Sequence, residues 1–292
     1  MKILLTGASG FIGRNILDFF SDRYTIFAPS SKELDLTDEH AVRSFFVSHD
    51  IDIVIHCAVK PGHRNAKDSS HQLYVNTRMY FNLIRNAERF HRMIFLGSGA
   101  VYDVRNPIVK VKEEYFDTHV PADEHGFSKY IIAKHIEHLD NVVKLRVFGI
   151  FGKYEDYAIR FISNAICKAI FDLPITIRQD RRFDYLYVDD LMPVIDHFIH
   201  GQRTYPSYNV TPDAAVTLSS VAELVRARSG KDLPILIAQD GMGPEYSGDN
   251  SRLRAEVTDL TFTPLAEAID RLYGWYEEHR ESIDRGMLLT DR

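Results

Sequence analysis

Ile3-Leu4-Leu5-Thr6-Gly7-Ala8-Ser9-Gly10-Phe11-Ile12-Gly13, near the start of a 292-residue chain, decides the fold. Its short apolar run reads as a buried strand, and Phe11 to Phe20 has helical period. Between them Gly7 permits a tight turn. Gly10 presents no side chain to a phosphate, and Gly13 lets the helix lie close on the strand. A helix N-terminus offers N–H groups and partial positive charge, so the arrangement suits a pyrophosphate. The glycines are spaced three and three, where the common dinucleotide fingerprint has two and three.

Outward from this motif, Thr25 to Ala28, Ile51 to Cys57, Met93 to Leu96 and Val142 to Val147 read as further buried strands. Glu39 to Ser48, His71 to Phe90 and Gly126 to Leu139 read as helices between them. This alternation predicts an α/β, Rossmann-type doubly wound parallel sheet. After Gly149 the pattern loosens. Helices are expected at Tyr157 to Phe171, Asp190 to Ile199, Leu218 to Ser229 and Pro264 to Arg280. Strands are expected near Ile175 to Arg178, Tyr185 to Val188 and Asn209-Val210, and Gln239 to Pro244 reads as a loop by its Gly and Pro. The expected organisation is a dinucleotide-binding domain over 1–150, to which 179–205 return. A smaller mixed α/β cap over 151–178 and 206–292 would bind substrate.

Composition narrows the function. Apolar residues at 45% and charged residues at 26% are ordinary for a globular protein. The net charge of −6 repels phosphate backbones, so nucleic acid is not an expected partner, while a local pocket for one nucleotide is compatible. Cys57 and Cys167 have no metal-ligand spacing, and neither a disulfide framework nor a metal site is expected. No run approaches the roughly 20 apolar residues that span a bilayer, and the first apolar stretch is too short for a signal peptide. The expected location is the cytoplasm, with no membrane partner.

An acidic residue at the end of the second strand would hold the ribose 2′-hydroxyl of NAD. Here Ile26-Phe27-Ala28-Pro29-Ser30-Ser31-Lys32 brings no carboxylate before Glu33. Ser30, Ser31 and Lys32 suit a 2′-phosphate, so NADP is the expected cofactor and NAD the second choice.

With that turn placed, several further runs resemble the extended short-chain dehydrogenase/reductase family, also called the NAD-dependent epimerase/dehydratase family. Glu33-Leu34-Asp35-Leu36-Thr37-Asp38 is similar to its acidic segment, implying that Asp35 and the Leu36 backbone meet the adenine. Val54-Ile55-His56-Cys57-Ala58 resembles the strand whose end, here Ala58, lines the cofactor. Val75-Asn76-Thr77 resembles the start of the helix that carries a structural Asn. Gly97-Ser98-Gly99-Ala100-Val101-Tyr102 resembles the segment of the catalytic Ser or Thr, which makes Ser98 catalytic and puts Tyr102 near the substrate. Tyr187-Val188-Asp189-Asp190-Leu191 matches a late signature. The likeness covers nearly the whole chain. Ser30 to Phe46 is closest to GDP-fucose synthases and related deoxysugar reductases, which act on nucleotide-linked 4-keto-6-deoxysugars. The cofactor contacts implied are Gly7, Ser9, Gly10, Phe11, Ile12, Gly13, Ser30, Lys32, Asp35, Leu36, Ala58 and Lys129.

In this family a Tyr and a Lys four residues apart move the proton. The run Glu124-His125-Gly126-Phe127-Ser128-Lys129 keeps the Lys but has His125 at the Tyr position. Three readings stay open. His125 is the acid as an imidazolium; or Tyr102 or Tyr130 substitutes; or the redox step is gone and a nucleotide-sugar or dinucleotide binder is left. The fucose synthases' epimerising Cys is replaced by Ala100, and no His lies between Tyr154 and Phe171. A dehydratase would carry an acid pair where Gly99-Ala100 stand. The reading favoured is therefore an NADP-dependent 4-keto-6-deoxysugar reductase with Ser98, His125 and Lys129 as catalytic residues. An epimerase or dehydratase with bound NAD is the alternative.

In the same family an Arg shortly before the Val-Asp-Asp signature grips the diphosphate. Phe183 aligns with it and Arg182 lies one residue early, so Arg182 is the candidate; Arg252 resembles a second nucleotide contact. His63 and Arg64 lie in a loop that would sit over nicotinamide and sugar, although a solvated loop is the simpler reading. The resemblance further implies a homodimer paired through the helices near His71 to Phe90 and Gly126 to Leu139.

Overall fold

A computed structural model of the chain describes residues 1–62, 66 and 68–289. His63 and Arg64 lie outside the described residues. The first half runs β1 (Lys2–Thr6), α1 (Phe11–Phe20), β2 (Thr25–Phe27), α2 (Glu39–Ser48), β3 (Ile53–His56), α3 (Gln72–Ile84), β4 (Arg92–Ser98), β5 (Ile108–Val111), α4 (Glu124–Ile136) and β6 (Val142–Val147). The second half runs β7 (Ile150–Phe151), α5 (Phe161–Ile170), β8 (Ile175–Asp180), β9 (Arg182–Phe183), β10 (Leu186–Tyr187), α6 (Val188–His200), β11 (Ser207–Val210), β12 (Val216–Thr217), α7 (Leu218–Ser229), β13 (Ile235–Met242), β14 (Tyr246–Gly248), α8 (Ser251–Glu256), α9 (Leu265–Glu278) and α10 (Arg285–Leu288).

Six strands form a parallel sheet in the order β11-β6-β4-β3-β1-β2. Its central strands are buried almost throughout because helices cover both faces. Side chains alternate between the faces as a pleated strand requires. Leu4, Val54, Phe95 and Val142 pack with α2, α3 and α4, whereas Leu5, Ile55, Ile94 and Leu145 pack with α1 and α6. The chain steps from β1 out to β2 and returns on the other side at β3. The crevice at the carboxyl ends of β1 and β3 is thus the point where strand order reverses, which is where such sheets hold ligands.

Three features differ from the sequence expectations. Residues 207–210, expected in the cap, form the edge strand of the main sheet, because Ser207 to Val210 pair in parallel register with Lys144 to Val147. Gln239 to Met242, expected as loop, continue β13 alongside β8, and the irregularity falls as a register shift around Gly241 at φ +77°. The helix expected from Tyr157 begins at Phe161. Asp190 in the late signature accepts hydrogen bonds from the Thr263 N–H (2.9 Å) and hydroxyl (2.7 Å), tying α6 to the C-terminal segment. Among the described residues no helix is long and apolar enough to cross a membrane, and no cluster of His, Cys, Asp or Glu fits a metal ion.

Candidate active site

The glycine turn is sterically determined. Gly7 has φ +74°, and a Cβ there would sit 2.6 Å from the Ala58 nitrogen. A Cβ on Gly13 would overlap the Gly7 carbonyl, which fixes how closely α1 lies on the turn. Gly10 is the N-cap of α1 and brings no capping side chain. In α2 and α4 the carboxylates of Asp38 and Asp123 do that work. The first-turn N–H groups of α1 therefore have no side-chain acceptor at Gly10, and a phosphate is the natural partner.

From this turn a groove of about 490 Å³ runs over Gly7, Ser9, Gly10, Ser30, Asp35, Leu36 and Ala58. A cradle cut to the backbone at Gly7, Gly10 and Gly13 fits a dinucleotide. Asp35 Oδ1 is held by the Thr37 N–H and hydroxyl at 2.8 and 2.7 Å, and the Leu36 carbonyl accepts from Asn82 at 2.9 Å. Asn76 accepts from the Lys60 N–H at 2.7 Å and so shapes the groove's edge. Lys32 is exposed and does not line the groove; the residue that does is Glu33, whose carboxylate accepts from the N–H and hydroxyl of Ser30. Phe11 and Ile12 face a second cavity instead.

That cavity measures about 750 Å³ and joins the groove at Cys57 and Val59, which line both. It brings together Ser98 at the end of β4 with His125 and Lys129 on α4. The Lys129 side chain is buried, donates to the Leu96 carbonyl at 3.3 Å and lies 5.0 Å over the Phe95 ring. Burial pulls its ammonium down to about 8. Burial also pulls His125 down to about 4, helped by the charge of Lys129. The His125 ring is therefore neutral at pH 7, against the expectation of an imidazolium acid, and its Nδ1 is buried without a hydrogen-bond partner among the described residues. His56 is likewise lowered to about 3 and shares a 2.6 Å hydrogen bond with the Thr6 hydroxyl. Burial pushes the Cys57 thiol up to about 12, so it is no thiolate.

Four expected positions lie elsewhere. Tyr102 is 1% exposed; its hydroxyl donates to Asn209 Oδ1 and accepts from Arg146, both at 2.6 Å, away from the cavity. Tyr130 donates to Asp117 and stacks on Phe127. Arg252 pairs with Glu114 and lies 4.3 Å over the Tyr205 ring. Arg182 sits on β9 between Arg181 and Phe183, which line the cavity while it does not, as strand alternation dictates. The sequence reading missed Arg160, Arg181, Glu155, Tyr185 and Tyr246, all lining the cavity. Only Arg181 had a signal, as a neighbour of the expected arginine.

The sequence profile described as NAD dependent epimerase/dehydratase family matches residues 3–211. The chain belongs to this family. Among its relatives is GDP-L-colitose synthase of Yersinia pseudotuberculosis, 25% identical over 70% of this chain and 74% of that protein. GDP-6-deoxy-D-talose 4-dehydrogenase of Aggregatibacter actinomycetemcomitans is 24% identical over 94% of this chain and 97% of its own length. In fold, the family member resembles the GDP-mannoheptose C4 reductase of Campylobacter jejuni with NADP bound, at TM-score 0.80 and 20% identity, covering 94% of this chain and 98% of that one.

Proposed function

We propose that this protein reduces the 4-keto group of a 6-deoxysugar carried on a nucleoside diphosphate. The observation that carries the reading is the cavity in which Ser98, His125 and Lys129 converge where the dinucleotide groove ends. Relatives named for GDP-linked sugars support a guanosine carrier, and a 4-dehydrogenase among them supports chemistry at carbon 4.

The dinucleotide, when bound, supplies or accepts a hydride at the sugar carbon. Lys129 holds the nicotinamide ribose with its buried ammonium. Ser98 donates its hydroxyl to the carbonyl oxygen. His125, neutral, contributes a fixed N–H dipole to the developing charge, as a preorganised donor. Arg160 and Arg181 at the cavity wall take the diphosphate expected of Arg182, since guanidinium groups match phosphate oxygens. NADP is the proposed dinucleotide, on the Ser30 and Ser31 hydroxyls in the groove and the NADP held by the Campylobacter reductase. α3 and α4 lie side by side and leave Tyr74 exposed, a face on which a second copy of the chain would dock to form a homodimer.

Epimerisation at carbons flanking the ketone is disfavoured because no thiol or imidazole stands at Ala100 or between Tyr154 and Phe171. The test is a His125→Ala and His125→Tyr pair assayed with nucleotide keto-sugars. His125→Ala is expected to lower kcat by about a hundredfold, the order lost with one oxyanion donor. Tight sugar-nucleotide binding without turnover by the native protein would make it a binder. NAD retained through purification, with no net redox, would make it an epimerase or dehydratase.

A further inference from the structure

The site described leaves one chemical need unmet. A ketone that accepts hydride also takes up a proton, His125 is neutral at pH 7, and Tyr102 and Tyr130 lie outside the cavity. Another phenol lies inside it. Tyr246, far along the chain on β14, has its hydroxyl directly over Gly99, in the space a Cβ there would fill. Gly99 is the residue that follows Ser98, and Ser98 and Tyr246 line the same cavity. The position next to Ser98 where a dehydratase would carry an acid thus holds no side chain of its own, and a phenol from the C-terminal segment occupies its place.

The phenol is rigidly held. β14 pairs with β5 at Ile108 and with β9 at Phe183. The Tyr246 ring stacks on Phe183 at 5.0 Å and packs against Phe148 at 5.1 Å. Its backbone carbonyl accepts from the Asp184 N–H at 3.2 Å. Such support is what a group acting on a proton needs.

Resting on the reductase reading, we propose that Tyr246 supplies, through the Ser98 hydroxyl, the proton taken up by the carbonyl oxygen. As the carbon receives its hydride, the oxygen takes the Ser98 Oγ proton. Ser98 is reprotonated from Tyr246 Oη, and the tyrosinate left behind recovers its proton from water entering the cavity. Burial keeps the phenol protonated well above neutral pH, so the proton is in place whenever substrate binds. Tyr246 acts through Ser98 and is in that sense a positioning residue for the proton.

The test is Tyr246→Phe in the full-length protein. The expected result is a kcat lower by about a hundredfold or more, with KM for the keto-sugar and the Kd for the dinucleotide unchanged and an altered solvent isotope effect on kcat. A kcat close to that of the native protein, or a loss confined to KM, overturns the proposal. A second measurement does not depend on turnover. In protein labelled at tyrosine Cζ, the Tyr246 resonance is expected to be that of a neutral phenol and to move in Ser98→Ala. A resonance that Ser98→Ala leaves in place overturns the pairing. If no keto-sugar is reduced by native protein but the resonance moves, the reductase reading fails while the Tyr246–Ser98 pair stands.

Discussion

The Glu33 carboxylate closes on Ser30, accepting from its N–H at 2.7 Å and its hydroxyl at 2.8 Å. These two bonds hold the Glu33 carboxyl below the usual carboxylate range. They also occupy the hydroxyl that a 2′-phosphate would use, and they set a negative charge beside it. The side chain is fully exposed and swings out readily, so the contact tunes the choice between NADP and NAD without forbidding either. Glu33→Gln removes the charge and is expected to raise NADPH affinity relative to NADH, measured by fluorescence titration of each. An unchanged ratio would place the 2′-position away from Ser30.

Tyr102 ties Asn209 on β11 to Arg146 on β6 from within the core. Tyr102→Phe leaves a buried guanidinium N–H and an amide oxygen short of a partner, a loss on the order of 1–3 kcal/mol. Urea unfolding should show that loss while KM for the keto-sugar stays constant. A raised KM with unchanged stability would return Tyr102 to the substrate.

Three buried groups give stability opposing pH dependences. Burial raises the Glu155 carboxyl to about 8 from an ordinary 4.5, so the folded state holds that proton more tightly than the unfolded one. Its contribution is complete below about pH 4.5 and is lost as pH rises through about 8. His125 is lowered to about 4 from 6.5 and His56 to about 3, so their contributions are complete above about 6.5 and are lost as pH falls through those values. Tm is expected to fall on both sides of an optimum. Glu155→Gln, which keeps a partner for the Ser163 hydroxyl bonded to Glu155 at 2.7 Å, should flatten the alkaline side alone. An alkaline limb unchanged by Glu155→Gln would contradict the burial of that carboxyl.

The glycine turn, the parallel sheet and the replacement at position 125 were all legible in the sequence, because each is a local pattern. A glycine between a strand and a helix is explained within ten residues of itself, and Lys129 lies one helical turn from His125. What escaped reading depends on which face a side chain takes or on distant segments meeting. Arg182 and Arg181 differ by one step along the chain, and only the fold decides which of them faces the cavity. Tyr246 reaches Gly99, beside Ser98, because β14 pairs with β5 and β9, a contact with no local trace. Gly and Pro content marked Gln239 to Pro244 as loop, and the pairing of β13 with β8 overrode that signal.

The most direct test is to mix the protein with a reduced dinucleotide and a nucleoside-diphosphate-linked 4-keto-6-deoxysugar, follow NAD(P)H absorbance, and identify the product. The account predicts stoichiometric oxidation of the dinucleotide and a sugar bearing a hydroxyl at carbon 4. Saturable binding of both ligands with the absorbance unchanged would contradict it.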